Sequence, residues 1–97
     1  MDISLINTIE DERAITHLLT EYCLALDSMD LESIAGVFTE DCVVEFGPDE
    51  RLNSRGRKQV AKSLERMWRW ARTSHHLSNV KIRFEGPDRA FSTSYVL

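Results

Sequence analysis

The chain has little of what several protein classes require. Two cysteines, Cys23 and Cys42, in 97 residues fall far short of a disulfide scaffold. With two prolines and four glycines there is no linker, low-complexity run or internal repeat. No stretch approaches the roughly 20 uninterrupted apolar residues of a membrane span, and the start lacks a charged-then-apolar signal sequence. Basic charge is also short: 12 Lys and Arg stand against 16 Asp and Glu, a formal net charge of −4. That balance argues against a nucleic-acid grip built on phosphate neutralisation. What is present is 42% hydrophobic and 8% aromatic content, enough for a packed fold and too much for a disordered chain. A globule this small buries only somewhat over about 60% of its unfolded surface, so nearly every apolar residue must serve the core. The expectation is one small acidic α+β domain, cytoplasmic, with no nucleic-acid or membrane partner.

The order of elements reads α-α-β-α-β-β. Ile15, Leu18, Leu19, Tyr22, Cys23 and Leu26 follow the spacing of an amphipathic helix, capped at Asn7 or Thr8 and running to about Ser28. Asp30 reads as the N-cap of a short second helix carrying Leu31, Ile34, Ala35 and Phe38 on one side. Cys42 to Phe46 is rich in β-formers and predicts a strand, stopped by Gly47-Pro48-Asp49. Residues 51–56 read as a polar connector. A third helix is expected from Arg57 to Arg72, with Val60, Leu64, Met67, Trp68 and Ala71 at helical spacing and Trp70 off that stripe. Val80, Ile82 and Phe84 alternate with Lys81, Arg83 and Glu85 in a strand; Gly86-Pro87-Asp88 turns it into another from Ala90 to Leu97.

Two places could carry chemistry. Asp27 closes the first helix, where the macrodipole disfavours a carboxylate, beside the apolar body of Tyr22 and Cys23. Desolvation there would raise its pKa and make it a usable base. Spacing alone favours the plainer reading, a solvated aspartate bonding amides of the following turn. His75 and His76 open a strand, so they point to opposite faces and one turns inward as a potential acid or base. Again the plainer reading, two exposed histidines at a junction or one bonded to a backbone group, is favoured on composition. Tyr22 is core or pocket lining, and Met67 and Trp68 read as core before they read as ligand contacts. His17 lies off the apolar stripe and has no assigned role. No His or Cys spacing suggests zinc, and there is no glycine-rich phosphate loop. Arg51, Arg55, Arg57 and Lys58 read most simply as a solvated connector and helix start.

Together these residues carry a resemblance. Leu26-Asp27-Ser28-Met29-Asp30 closing the first helix and Phe38-Thr39-Glu40-Asp41-Cys42 entering the first strand resemble the SnoaL-like branch of the nuclear transport factor 2-like superfamily. So do Gly56 before the third helix, the segment Thr73-Ser74-His75-His76-Leu77-Ser78-Asn79, and the Gly86-Pro87-Asp88-Arg89-Ala90 hairpin. The resemblance implies a cone: a curved mixed sheet around an apolar pocket, closed by the helices. In the branch similar to scytalone dehydratase and hexachlorocyclohexane dehydrochlorinase, an aspartate and a histidine form an acid–base dyad. Carried onto this sequence, they fall on Asp27 and His75 rather than His76, with Tyr22, Phe46, Met67 and Trp68 as substrate-pocket positions.

The resemblance further implies a cofactor-independent and metal-free lyase or isomerase, of the dehydratase or dehydrohalogenase type, acting on a small apolar or aromatic molecule. The second histidine of scytalone dehydratase has its counterpart near Ser94, and its two water-positioning tyrosines are replaced by Leu26 and Phe46. The polar set for that particular dehydration is therefore missing. A non-catalytic binding or assembly module, or a subunit similar to the small subunit of ring-hydroxylating dioxygenases, is the alternative. Cones of this superfamily associate through their sheets, so a homodimer or higher homo-oligomer is expected. They also carry further strands after the one beginning at Ala90, so residues 1–97 are expected to be a single domain, C-terminally incomplete or completing its sheet with another chain.

Overall fold

The computed structural model describes residues 3–65 and 73–97, without the side chain of Ser4. The first helix, α1, runs from Ile3 to Asp27. It starts ahead of the expected caps, so Asn7 and Thr8 lie inside it. No proline or glycine interrupts the preceding turn, and nothing there stops the helix from extending. Cys23, Ala25 and Leu26 are buried at its C-terminal end, with Ile15, Leu19 and Tyr22 half-buried. Leu18, expected on the buried stripe, is exposed, and Ala25 lies in the core instead.

The second helix, α2, spans Leu31–Gly36 and is capped by Asp30, whose carboxylate accepts from the Ser33 amide at 3.1 Å and the Ser33 hydroxyl at 2.7 Å. The cap satisfies an amide that the helix start would otherwise leave unpaired. Helix α3 is described over Arg57–Leu64 with Glu65 as its C-cap, and residues 66–72 of the expected helix lie outside the described residues. Ala25, Leu26, Ile34, Val60, Ala61 and Leu64 form the core where α1, α2 and α3 meet. Ile34 and Val60 are completely enclosed. Burial on that scale is worth about 1.5–3 kcal/mol per large aliphatic side chain. Tyr22 and Phe38 meet edge to face at 5.8 Å on the flank of this cluster.

Strand β1 is only Val43–Val44, shorter than the expected Cys42–Phe46. Its partner is β2, Ser54–Arg55, antiparallel, with Val43 opposite Arg55 and Val44 opposite Ser54. The polar connector thus contains a 3-10 turn, Glu50–Leu52, followed by a strand. Two polar residues show no alternation, so the pairing is invisible until β1 lies alongside. Cys42 and Phe46 pack against the core from outside the ladder. Gly56 follows with φ +82°; its amide donates to the Cys42 carbonyl at 2.7 Å, and a Cβ there would meet the Glu40 carbonyl at 3.4 Å. The left-handed backbone is what calls for glycine at this corner.

The other pair is β3, Leu77–Phe84, and β4, Ala90–Val96, antiparallel, with Phe84 opposite Ala90 and Leu77 opposite Val96. Val80, Ile82 and Phe84 are half-buried while Lys81, Arg83 and Glu85 are exposed, the alternation expected of a strand with one covered face. The register shifts between Ser78 and Lys81, at Asn79, whose φ of +55° is the kink of a bulge. Three helices packed with antiparallel strands make this an α+β architecture.

Candidate functional site

Asp27 owes its position to the way α1 ends. Met29 adopts φ +58°, and its amide donates to the Leu26 carbonyl at 3.2 Å while the Asp30 amide donates to the Ala25 carbonyl at 3.0 Å. This left-handed cap satisfies the last carbonyls of the helix and turns the chain directly into α2. Asp27 is left as the final helical residue, its carboxylate facing the segment that enters β3.

Three donors from that segment converge on it. The Thr73 hydroxyl donates to Asp27 Oδ1 at 3.0 Å, the His75 backbone N–H donates to Oδ2 at 2.8 Å, and His75 Nδ1 lies 2.5 Å from Oδ1. The two side chains are largely covered, 16% exposed for His75 and 23% for Asp27. His76 takes a different part. Its backbone exchanges hydrogen bonds with Leu97, and its ring Nε2 lies 2.9 Å from the Ser74 hydroxyl on the exposed side.

The electrostatics reverse one expectation. Desolvation pushes the Asp27 pKa up, as the sequence suggests, but the His75 amide, the His75 ring, the Thr73 hydroxyl and the His75 charge together outweigh it. The net direction is down, so Asp27 is a firm carboxylate, poorly suited to be the base itself. An ionised carboxylate is acceptor-only, so the short contact to Nδ1 assigns the proton to that nitrogen. In the neutral form of the ring the lone pair is then on Nε2, which has no hydrogen-bond partner among the described residues. Nearby, burial raises the Cys23 thiol pKa, with the Asp27 charge adding to it, and burial likewise raises that of the Tyr22 phenol, with Cys23 contributing.

The SnoaL-like domain family matches residues 7–97. The chain belongs to the SnoaL-like domain family. A crystal structure of a provisionally assigned scytalone dehydratase from Novosphingobium aromaticivorans DSM 12444 is similar over 92% of this chain, with 33% identity and a TM-score of 0.83. The chain covers 59% of that structure's length. No curated protein matches it. The SnoaL-like domain therefore has a nuclear transport factor 2-like fold.

The other candidate residues of this SnoaL-like domain are distributed more widely. Tyr22 and Phe46 are half-buried and pack against the core cluster. Met67, Trp68 and Trp70 lie outside the described residues. An open groove of about 990 Å³ runs between α1 and β3, bordered by Ile9, Arg13, Thr16, Thr20, Val80 and Ile82, and neither Asp27 nor His75 lines it. That groove lacks the converging donors that Asp27 gathers. Two members of the basic cluster make structural contacts: Arg51 pairs with Asp49 at 2.9 Å, and Arg57 Nε donates to the Phe38 carbonyl at 2.7 Å, tying the start of α3 to the end of α2. His17 sits on the exposed face of α1 beside Glu21. Among the described residues no three His, Cys, Asp or Glu side chains gather in a way that could hold a metal ion, and no helix is long and apolar enough to cross a membrane.

Thr73 is in the motif segment, but the sequence reading gave it no role, and its hydroxyl is the third donor on Asp27. Its signal was present: in an extended segment, residues two apart share a face, so a threonine two before His75 reaches the same carboxylate.

Proposed function

We propose that this SnoaL-like domain is the dyad-bearing part of a cofactor-independent lyase or isomerase acting on a small apolar or aromatic molecule. The single observation that carries the reading is the Asp27–His75 contact, which engages Nδ1 and leaves Nε2 as the basic atom. In this reading Nε2 takes a proton from a substrate carbon. The electron pair left behind forms a carbon–carbon double bond as hydroxide or halide departs from the neighbouring carbon, with the imidazolium proton passing to solvent in the halide case; in an isomerisation the pair moves along the skeleton and the imidazolium returns the proton to a different carbon. For departing hydroxide, the imidazolium returns the proton and water leaves. Asp27 holds the ring in the productive tautomer and stabilises the imidazolium, an interaction strengthened where water is excluded. Tyr22, Phe46, Met67 and Trp68 supply the apolar contacts to substrate.

Two further features belong to the same reading. Phe91, Tyr95 and Val96 are exposed on β4, which supports association of copies through the sheet. The two cysteines are both free, which supports a reducing, cytoplasmic compartment.

The test is a panel of small halogenated, hydroxylated and aromatic compounds assayed with wild type and His75→Ala. The expected result is turnover by wild type and loss of about 10²–10⁴-fold in the variant, with unchanged circular dichroism. Equal turnover in both overturns the assignment.

A further inference from the structure

The Asp27 carboxylate is held at both oxygens by one short segment. Oδ2 takes the His75 amide, while Oδ1 takes both the His75 ring and the Thr73 hydroxyl. An aspartate carboxylate otherwise turns easily about its last torsion, which is broad and two-fold. We propose that Thr73 is a positioning residue, whose hydroxyl locks the plane of the Asp27 carboxylate so that Oδ1 meets the His75 Nδ1–H. This rests on the Asp27–His75 reading given above and adds to it the residue that sets the geometry of the pair.

The arrangement is specific to a donor at this place. Thr73 and His75 flank Ser74 just ahead of β3; both side chains reach one carboxylate, while the Ser74 hydroxyl lies against the His76 ring. Two donors on one oxygen also divide its negative charge, which keeps the shared proton on Nδ1 instead of drawing it toward Oδ1. The groups facing Asp27 among the described residues are the Cys23 thiol, one turn back on α1, and the His75 ring and Thr73 hydroxyl from the segment entering β3. Among the described residues no other side chain hydrogen-bonds the carboxylate, so removal of Thr73 leaves its plane to the His75 bonds.

The test compares Thr73→Val, which keeps the shape and loses the donor, with Thr73→Ser, which keeps the donor. Imidazole nitrogen and carboxyl carbon NMR signals of the chain report the His75 tautomer and the Asp27 titration midpoint without any substrate. The expected result is an upward move of the Asp27 midpoint and a smaller Nδ1–H population in Thr73→Val, both restored in Thr73→Ser. With a turned-over compound, kcat should fall about 10- to 100-fold in Thr73→Val, the range for a hydrogen bond to a charged group, with KM little changed. Identical tautomer and midpoint in wild type and Thr73→Val overturn the proposal. If Thr73→Val does not fold, Thr73→Ala and Thr73→Ser are compared instead, and equal midpoints in those two overturn it. A fully active His75→Ala would overturn the catalytic reading alone, because the titration comparison does not depend on turnover.

Discussion

His75 Nδ1 lies 2.5 Å from Asp27 Oδ1, joining residues 48 positions apart in the chain. The same carboxylate also binds the backbone N–H of His75 at 2.8 Å, so ring and main chain of one residue are fastened to one acceptor. A histidine held this way is restricted in ring rotation and in tautomer.

Asp27→Asn should remove the anion while keeping the size of the side chain. The amide does not stabilise the imidazolium, and its NH2 group favours the tautomer with the lone pair on Nδ1. Turnover is expected to fall by about 10²–10⁴-fold, with its dependence on pH altered. The comparison is of kcat/KM against pH for the two proteins, and coincident profiles would refute the assignment of Asp27.

Acid lability should trace to Asp27. Its pKa is lower folded than unfolded, because three hydrogen bonds and the His75 charge outweigh desolvation. A lowered folded pKa contributes stability that is fully present above the unfolded value of about 3.9 and lost as pH falls through the folded value. Urea unfolding of wild type and Asp27→Asn should therefore show a stability difference at about pH 6 that closes below about pH 4. A difference that stays constant across that range would count against the hydrogen-bonded carboxylate.

Ile34 is completely enclosed at the junction of the three helices. Ile34→Ala should cost about 2–5 kcal/mol, the lost transfer energy plus the cavity, and Ile34→Val about 0.5–1.5 kcal/mol. Denaturant midpoints at constant slope measure both. A cost under about 1 kcal/mol for alanine would mean that this junction collapses around the vacancy.

Asp30 serves two helices. Its amide closes the end of α1 on the Ala25 carbonyl, and its carboxylate caps α2 through Ser33. Asp30→Ala removes only the second contribution and should cost about 1 kcal/mol. Asp30→Asn, which keeps an acceptor, should recover most of it, a difference readable from thermal unfolding.

Cys23 and Cys42 should differ in reactivity. Cys23 is buried and its thiol pKa is raised by desolvation and by Asp27, whereas Cys42 is partly accessible. A neutral-pH thiol reagent should label Cys42 first, and Cys23 only on unfolding. Labelling of Cys23 at the rate of a free thiol would show that the end of α1 opens in solution.

The sequence by itself determined much of the scaffold. The period of Ile15, Leu19, Tyr22, Cys23 and Leu26, the Asp30 cap and the Val80–Ile82–Phe84 alternation are local patterns, each set by the geometry of a single element. Local pattern did less well wherever a neighbour decides the outcome. Ser54 and Arg55 become a strand because Val43 and Val44 lie beside them, and Leu18 is left exposed while Ala25 is buried where the other helices cross. Asp27 shows the division most clearly. From the sequence it is an aspartate at a helix end, where desolvation should raise its pKa, and spacing alone favours the solvated reading. Only the tertiary structure brings the Thr73 hydroxyl and the His75 amide and ring onto its oxygens, and these donors reverse the direction of the shift. The physical reason is that periodicity belongs to one element and is written in its pattern, whereas what covers a residue or donates to a carboxylate comes from a second element, and their meeting is fixed by the fold.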